Sequence, residues 1–180
     1  MRRTFLYGLM TALLVVGATT APRAQGGRQV LHAYLTGGSE APTPVNSGAY
    51  GHAVITIDPG AGEVSWEIDV FNYPTGLTAS HIHVGSPGTA GPIIIDFAPT
   101  AIGVSGPFRL AGSTRSFTAR PERGIRSMEE AMIAIAAGNA YVNVHSQANP
   151  GGEIRGQLCP TRASDNKFNA IAVCAPIPQQ

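Results

Sequence analysis

The stretch ASHIHVGSPGTAGP, residues 79–92, sets two of the chain's five histidines one residue apart, just before a loop of small residues. On a β-strand, side chains two positions apart leave the same face, so His81 and His83 point together. Imidazole is the side chain proteins use most often to ligate transition metals. A third histidine, His145, closes the run AYVNVHS, in which Val142 and Val144 take the apolar side and leave Tyr141, Asn143 and His145 on the other. In GEIRGQL, Ile154 and Leu158 are apolar, so Glu153, Arg155 and Gln157 join the polar side, facing outward. If the first two strands are neighbours, His81, His83 and His145 converge, and three imidazoles at about 2.0–2.1 Å suit copper or zinc. Glu153 or Asn143 would then orient a ligand from behind it. Such a site would be lost below about pH 6, as ordinary histidines protonate. The competing expectation is a polar network in which Tyr141, Asn143, Glu153, Arg155 and the histidines tie loop 84–92 to the sheet. Alternation does not encode strand order, so both expectations stand. His32 and His52 fall on outward faces of other strands and are assigned no role.

Positioning these residues is the work of many short strands. QVLHAYLT alternates Leu31, Ala33 and Leu35 with polar neighbours, GHAVITID alternates Ala53, Ile55 and Ile57, and EVSWEIDVF places Val64, Trp66, Ile68 and Val70 inward. DPGAGE, residues 58–63, carries the turn chemistry of a hairpin, and NPGG, residues 149–152, joins the last two strands in the same way. Further strands are expected at 79–84, 92–97, 104–110, 114–119, 139–145 and 152–158. SMEEAMIAIAAG, residues 127–138, interrupts them with a helix: Ser127 and Glu130 form a capping box, Gly138 is the stop, and Met128, Met132 and Ile135 make one apolar stripe. The fold class expected is all-β, an antiparallel Greek-key-like β-sandwich with one short α-helix.

Residues 1–24 read as a signal peptide: Arg2 and Arg3, an apolar run from Phe5 to Val16, then small residues. RRTFL also resembles the core of the twin-arginine export signal, with a general secretory signal as the alternative. Removing this segment takes Arg2, Arg3 and Arg23, leaving 9 basic against 11 acidic residues, a net charge of −2 with histidine neutral. A nucleic-acid partner is therefore not expected, nor is a membrane span after signal removal. The remainder suits one domain at 25–160 with a tail at 161–180, placed in the periplasm or secreted. Cys159 and Cys174, both near the C-terminus, are expected to form one disulfide, worth about 3 kcal/mol for a loop of this length.

Catalytic motifs are wanting. GVSGP, residues 103–107, has Pro107 where a nucleophile elbow needs glycine. Glu67 and Asp69 share a strand face rather than a cleft, and no glycine-rich phosphate loop precedes a helix. An enzyme is the lesser expectation. The arginines at 109, 115, 120, 123 and 126 lack interleaved aromatics, so a solvated strand face and loop is expected there rather than an anion site.

ASHIHVGSPGTAGPIIIDF together with AGNAYVNVHSQANPGGEIRGQL closely resembles the CHRD domain, named from chordin and common in bacterial exported proteins. LTGGSEAPTPVNSGAYGHAVITIDPGAGEVSWEIDV, residues 35–70, is similar to the opening of that family, with Thr43 interrupting its usual Pro-Pro. The resemblance covers about residues 29–159. It implies a binding or structural module, non-enzymatic, whose partner is an extracellular or cell-envelope protein or glycan; it brings no catalytic residues. The outward His-x-His is also similar to the copper-binding strand of Cu,Zn superoxide dismutases, which places the fold among immunoglobulin- or superoxide-dismutase-like sandwiches. This chain lacks that family's bridging and zinc-loop histidines, so dismutase activity is not expected. Copper or zinc at His81, His83 and His145 stands as the alternative to a purely interacting module.

Overall fold

The structure is a computed structural model that describes residues 27–160. Nine strands and one helix make it up: β1 (Gln29–Thr36), β2 (Tyr50–Asp58), β3 (Glu63–Tyr73), β4 (Leu77–Val84), β5 (Ile93–Asp96), β6 (Gly106–Thr114), α1 (Met128–Ala136), β7 (Ala140–Ser146), β8 (Ile154–Gln157) and β9 (Cys159–Pro160). All pair antiparallel in one sheet of order β5-β4-β7-β8-β1-β2-β3-β6, with β9 on β1. The non-consecutive neighbours β4–β7, β8–β1 and β3–β6 give the Greek-key character expected of the sequence.

The sheet curls because its two halves share one core. Leu31, Ile55 and Ile68 from β1–β3 pack in the same buried cluster as Ile82, Val142 and Ile154 from β4, β7 and β8. Period-two alternation put every one of these on the apolar side, and burial of such side chains is the largest favourable contribution to folding. Trp66 in β3 stacks on Phe97 just beyond β5, with ring centroids 4.5 Å apart. That contact draws the two ends of the sheet together. Gly112 in β6 makes room for it, since a Cβ there would lie 2.7 Å from the indole.

Two local expectations need correction. The strands at 104–110 and 114–119 are one strand, β6, which ends at Thr114. The chain beyond it leaves the β3 ladder and bonds to the opposite edge instead, through Thr118 N–H to the Ile94 carbonyl (2.8 Å) and Arg120 Nε to the Ile93 carbonyl (2.9 Å). An edge strand left bare is costly, and this segment covers β5. The capping box is also re-partnered. Ser127 Oγ accepts from Glu130 N–H as expected, but the Glu130 carboxylate takes the N–H of Arg126, one residue earlier. Gly138 ends the helix with φ 74°, and Ala131, Met132 and Ile135 bury its apolar stripe.

The first hairpin turn and the charged strand face match the expectation. The 58–63 turn is closed by Asp58 Oδ1 accepting from Ala61 N–H, with Gly62 at φ 64°. Arg109 forks onto Asp69 (2.6 and 2.8 Å), and Arg115 lies 3.5 Å from Glu63, so this arginine-rich stretch includes a solvated, charge-paired strand face. No helix among the described residues is long and apolar enough to cross a membrane. The segments expected as a signal peptide and tail, and Cys174 of the expected disulfide, lie outside the described residues.

Trp66→Ala removes the stacked contact that joins the sheet ends. It should cost about 3–5 kcal/mol in urea unfolding followed by circular dichroism, whereas Trp66→Phe retains most of the stability. Equal stabilities for the two variants would reject this closure.

Candidate metal centre

Strands β4 and β7 are neighbours, which is the condition the histidines required. The register sets His83 opposite Tyr141 and His81 opposite Asn143, while β8 adds Gln157 beside Tyr141 and Arg155 beside Asn143. A bulge between Ile82 and His83 on the β5 side leaves Asp96 directly across from His81. The polar side chains of β4, β7 and β8 therefore form a grid on the face opposite the apolar core.

The expected outward orientation of that face is corrected by two loops that cover it. Every residue of β7 is buried, as are His83, Glu153 and Arg155. The loop Gly85–Pro92 folds back over the grid and is held by its own backbone. His83 Nδ1 lies 2.8 Å from the Gly91 carbonyl, Gly91 N–H donates to Tyr141 Oη (3.0 Å), Gln157 Nε2 donates to the Gly85 carbonyl (2.9 Å), and Arg155 donates to the Ser86 carbonyl (3.3 Å). Such close approach explains the small residues after the histidines. A Cβ on Gly91 would sit 1.7 Å from the Val84 carbonyl oxygen. The second loop, 37–49, passes the Glu153 carbonyl at Gly37, where a Cβ would also meet the Val45 carbonyl at 2.4 Å, and it delivers Glu40 to Asn143 and Ser47 to Glu153.

The hydrogen bonds also assign the ring protons. A carbonyl only accepts, so His83 carries its proton on Nδ1, and so does His145, whose Nδ1 donates to the Pro150 carbonyl at 2.9 Å. Nε2 is thereby the nitrogen left free to accept or ligate in both rings. His145 Nε2 accepts from His81 Nδ1 at 3.1 Å. His83 Nε2 is buried with no hydrogen-bond partner, in a residue only 8 % exposed. One nitrogen from each of the three rings lies within 4.8 Å of the others. With metal–nitrogen bonds of about 2.0–2.1 Å, the 3.1 Å pair would subtend about 100° at an ion, between square-planar and tetrahedral angles. His81 Nε2 faces Asp96 Oδ1 at 3.9 Å, on the solvent side of the cluster.

Burial holds all three imidazoles neutral, the form a metal needs. It pushes His83 down to about 4, helped by His81, His145 and Arg155 and opposed by the Gly91 bond. Burial and His145 lower His81 against the pull of Asp96, and burial lowers His145 against the Pro150 bond.

The residues expected to orient the ligands have other partners. Asn143 donates to Glu40 (3.3 Å). The Glu153 carboxylate accepts from Ser47, Ser146 (2.7 Å) and Asn149 (2.5 Å); burial pushes this acid up, but the three donors outweigh it and hold it low. Tyr141 stacks on His83 with the planes 9° apart and carries the Arg155 guanidinium 3.5 Å from its ring centroid. The orienting groups are instead the carbonyls of Gly91 and Pro150, with Asp96 beside His81; carbonyls leave no mark in a sequence. Glu40 was also missed. Burial pushes its carboxyl up to about 7 against Arg155 and Asn143, and one of its oxygens has no partner. Its only sequence signal was an acid inside the Gly/Pro-rich stretch TGGSEAPTP.

A half-barrel antiparallel sheet with a loop-covered polar grid defines a small β-module. A family model described as the CHRD domain matches residues 31–158, and the chain belongs to that family. No curated protein and no solved structure matches it.

Two buried groups tilt stability with pH in opposite directions. Between the ordinary 4.5 and about 7, folded Glu40 keeps a proton that the unfolded chain has released, so stability falls as pH rises. Between about 4 and the ordinary 6.5, the unfolded chain takes a proton that folded His83 refuses, so stability rises with pH. Glu40→Gln deletes the first slope. Its melting temperature should drop by several degrees more than the wild type's between pH 7 and pH 5; parallel curves would reject the assignment.

Proposed function

We propose that this CHRD domain is a metal-binding module that holds one copper or zinc ion through His81 Nδ1, His83 Nε2 and His145 Nε2. The observation that carries the reading is the buried, unpartnered Nε2 of His83, in a cluster whose three rings each bring a nitrogen within 4.8 Å of the others. An unsatisfied buried acceptor is unfavourable by about 1–3 kcal/mol, and an ion supplies the missing partner. Two of the rings are already fixed in the ligating tautomer by carbonyls. On binding, the His81 proton shifts from Nδ1 to Nε2, toward the Asp96 carboxylate. We take residues 1–24 as an export signal, so the module works in the periplasm or outside the cell, without catalysis.

A second reading, an interaction domain for an envelope protein or glycan, is favoured by one observation. Tyr50 and Phe71 stack at 5.2 Å on the outer face and stay 49 % and 41 % exposed. Their removal would weaken such a partner's binding and leave the histidines untouched.

Calorimetric titration with copper and with zinc should give one tight equivalent at His81, His83 and His145, lost in the His81→Ala/His83→Ala/His145→Ala protein. Asp96→Asn should weaken binding by up to about tenfold, and Gly91→Ala, which displaces the loop holding His83, by more. Because burial lowers all three rings below the ordinary histidine value, binding should persist below about pH 6, lower than the sequence alone suggests. Equal, weak binding in wild type and triple variant would reject the metal reading.

A further inference from the structure

The two histidines left without a role are not isolated. In the β1–β2 register, His32 lies across from Val54 and Tyr34 across from His52, which makes His32 and His52 diagonal neighbours on the polar face. Their rings are nearly parallel, 14° apart, and His32 Nδ1 lies 3.1 Å from His52 Nε2. This repeats the separation and the atom types of the His81–His145 pair. We infer that His32 Nδ1 and His52 Nε2 form a second, outer metal site that takes one divalent ion of the copper–zinc class, with solvent completing its coordination.

The proton of the hydrogen bond between the two rings would move to the other nitrogen of its own ring on binding, which frees both facing nitrogens for a chelate. At about 2.0–2.1 Å from each nitrogen, an ion would see the pair at about 100°, an angle that both square-planar copper and tetrahedral zinc accept. Both rings are half-buried rather than sealed, so an ion and its waters can reach them. Asp69 stands directly opposite His52 on β3 and contributes negative charge nearby, although Arg109 is forked onto it. Two donors hold an ion less tightly than three, so this site fills after the His81–His83–His145 centre. Centre to centre, from between β4 and β7 to between β1 and β2, the two sites are three strand spacings apart. That is about 14 Å along the sheet, and less across its curl.

The test uses the untagged full chain with Cu(II) as the sole probe, counting equivalents by calorimetry and by electron paramagnetic resonance. Wild type should bind two equivalents, His32→Ala/His52→Ala one, and His81→Ala/His83→Ala/His145→Ala one of the weaker kind. Should the double alanine variant fail to fold, His52→Asn keeps a hydrogen-bonding side chain and should still lose the weaker equivalent. Doubly loaded wild type should show a dipolar coupling that corresponds to less than about 20 Å. A single equivalent that survives in the His32/His52 variant overturns this inference and leaves the inner centre standing. A single equivalent lost in that variant, and kept in the triple one, supports the outer site and rejects the inner. No binding rejects both.

Discussion

The hydrogen bond from His83 Nδ1–H to the Gly91 carbonyl is the constraint on which the polar side of this protein depends. It brings the loop after β4 back over the strand it has just left, which a side chain at position 91 would forbid. The same bond fixes the tautomer of His83 and leaves its other nitrogen buried and free to accept. With the loop in place, Tyr141, Arg155 and Gln157 find acceptors or donors in the loop backbone rather than in water. Water is thereby excluded from a surface that would otherwise be the solvated face of an antiparallel sheet.

Strands covered on both faces, as β7 and β8 are, must satisfy their polar groups internally, and these do so unevenly. Glu153 has three donors and keeps its charge. Arg155 spreads its charge over the Tyr141 ring and a carbonyl. Glu40 has a single long bond from Asn143, and its response is to hold a proton near neutrality. His83 keeps one nitrogen free, and its response is to refuse a proton. Uncharged at pH 7 and lacking a partner, that nitrogen is the group on which the proposed metal site rests.

The alternation of β1, β2, β3 and β7 was legible because a pleated strand assigns each residue to a side by counting alone. Leu31, Ile55, Trp66 and Val142 are buried where the count placed them. The helix was legible from Ser127 and Gly138, since caps are local chemistry. The end of β6 was not, because Ser116–Ala119 keep strand-like composition while the backbone partner of Thr118 lies on the opposite edge of the sheet. Nor was the pairing of His32 with His52, which are separated by the whole 37–49 loop and meet only through register.

What the sequence by itself determined is sidedness, family and the donor set: which residues share a face, the CHRD pattern across residues 31–158, and three histidines able to meet. Only the tertiary structure decided depth and partnership. Side-chain period reports direction from the strand, never whether a loop lies over it. Strand order and the carbonyls of Gly91 and Pro150 come from backbone geometry that every residue shares, so no residue type announces them.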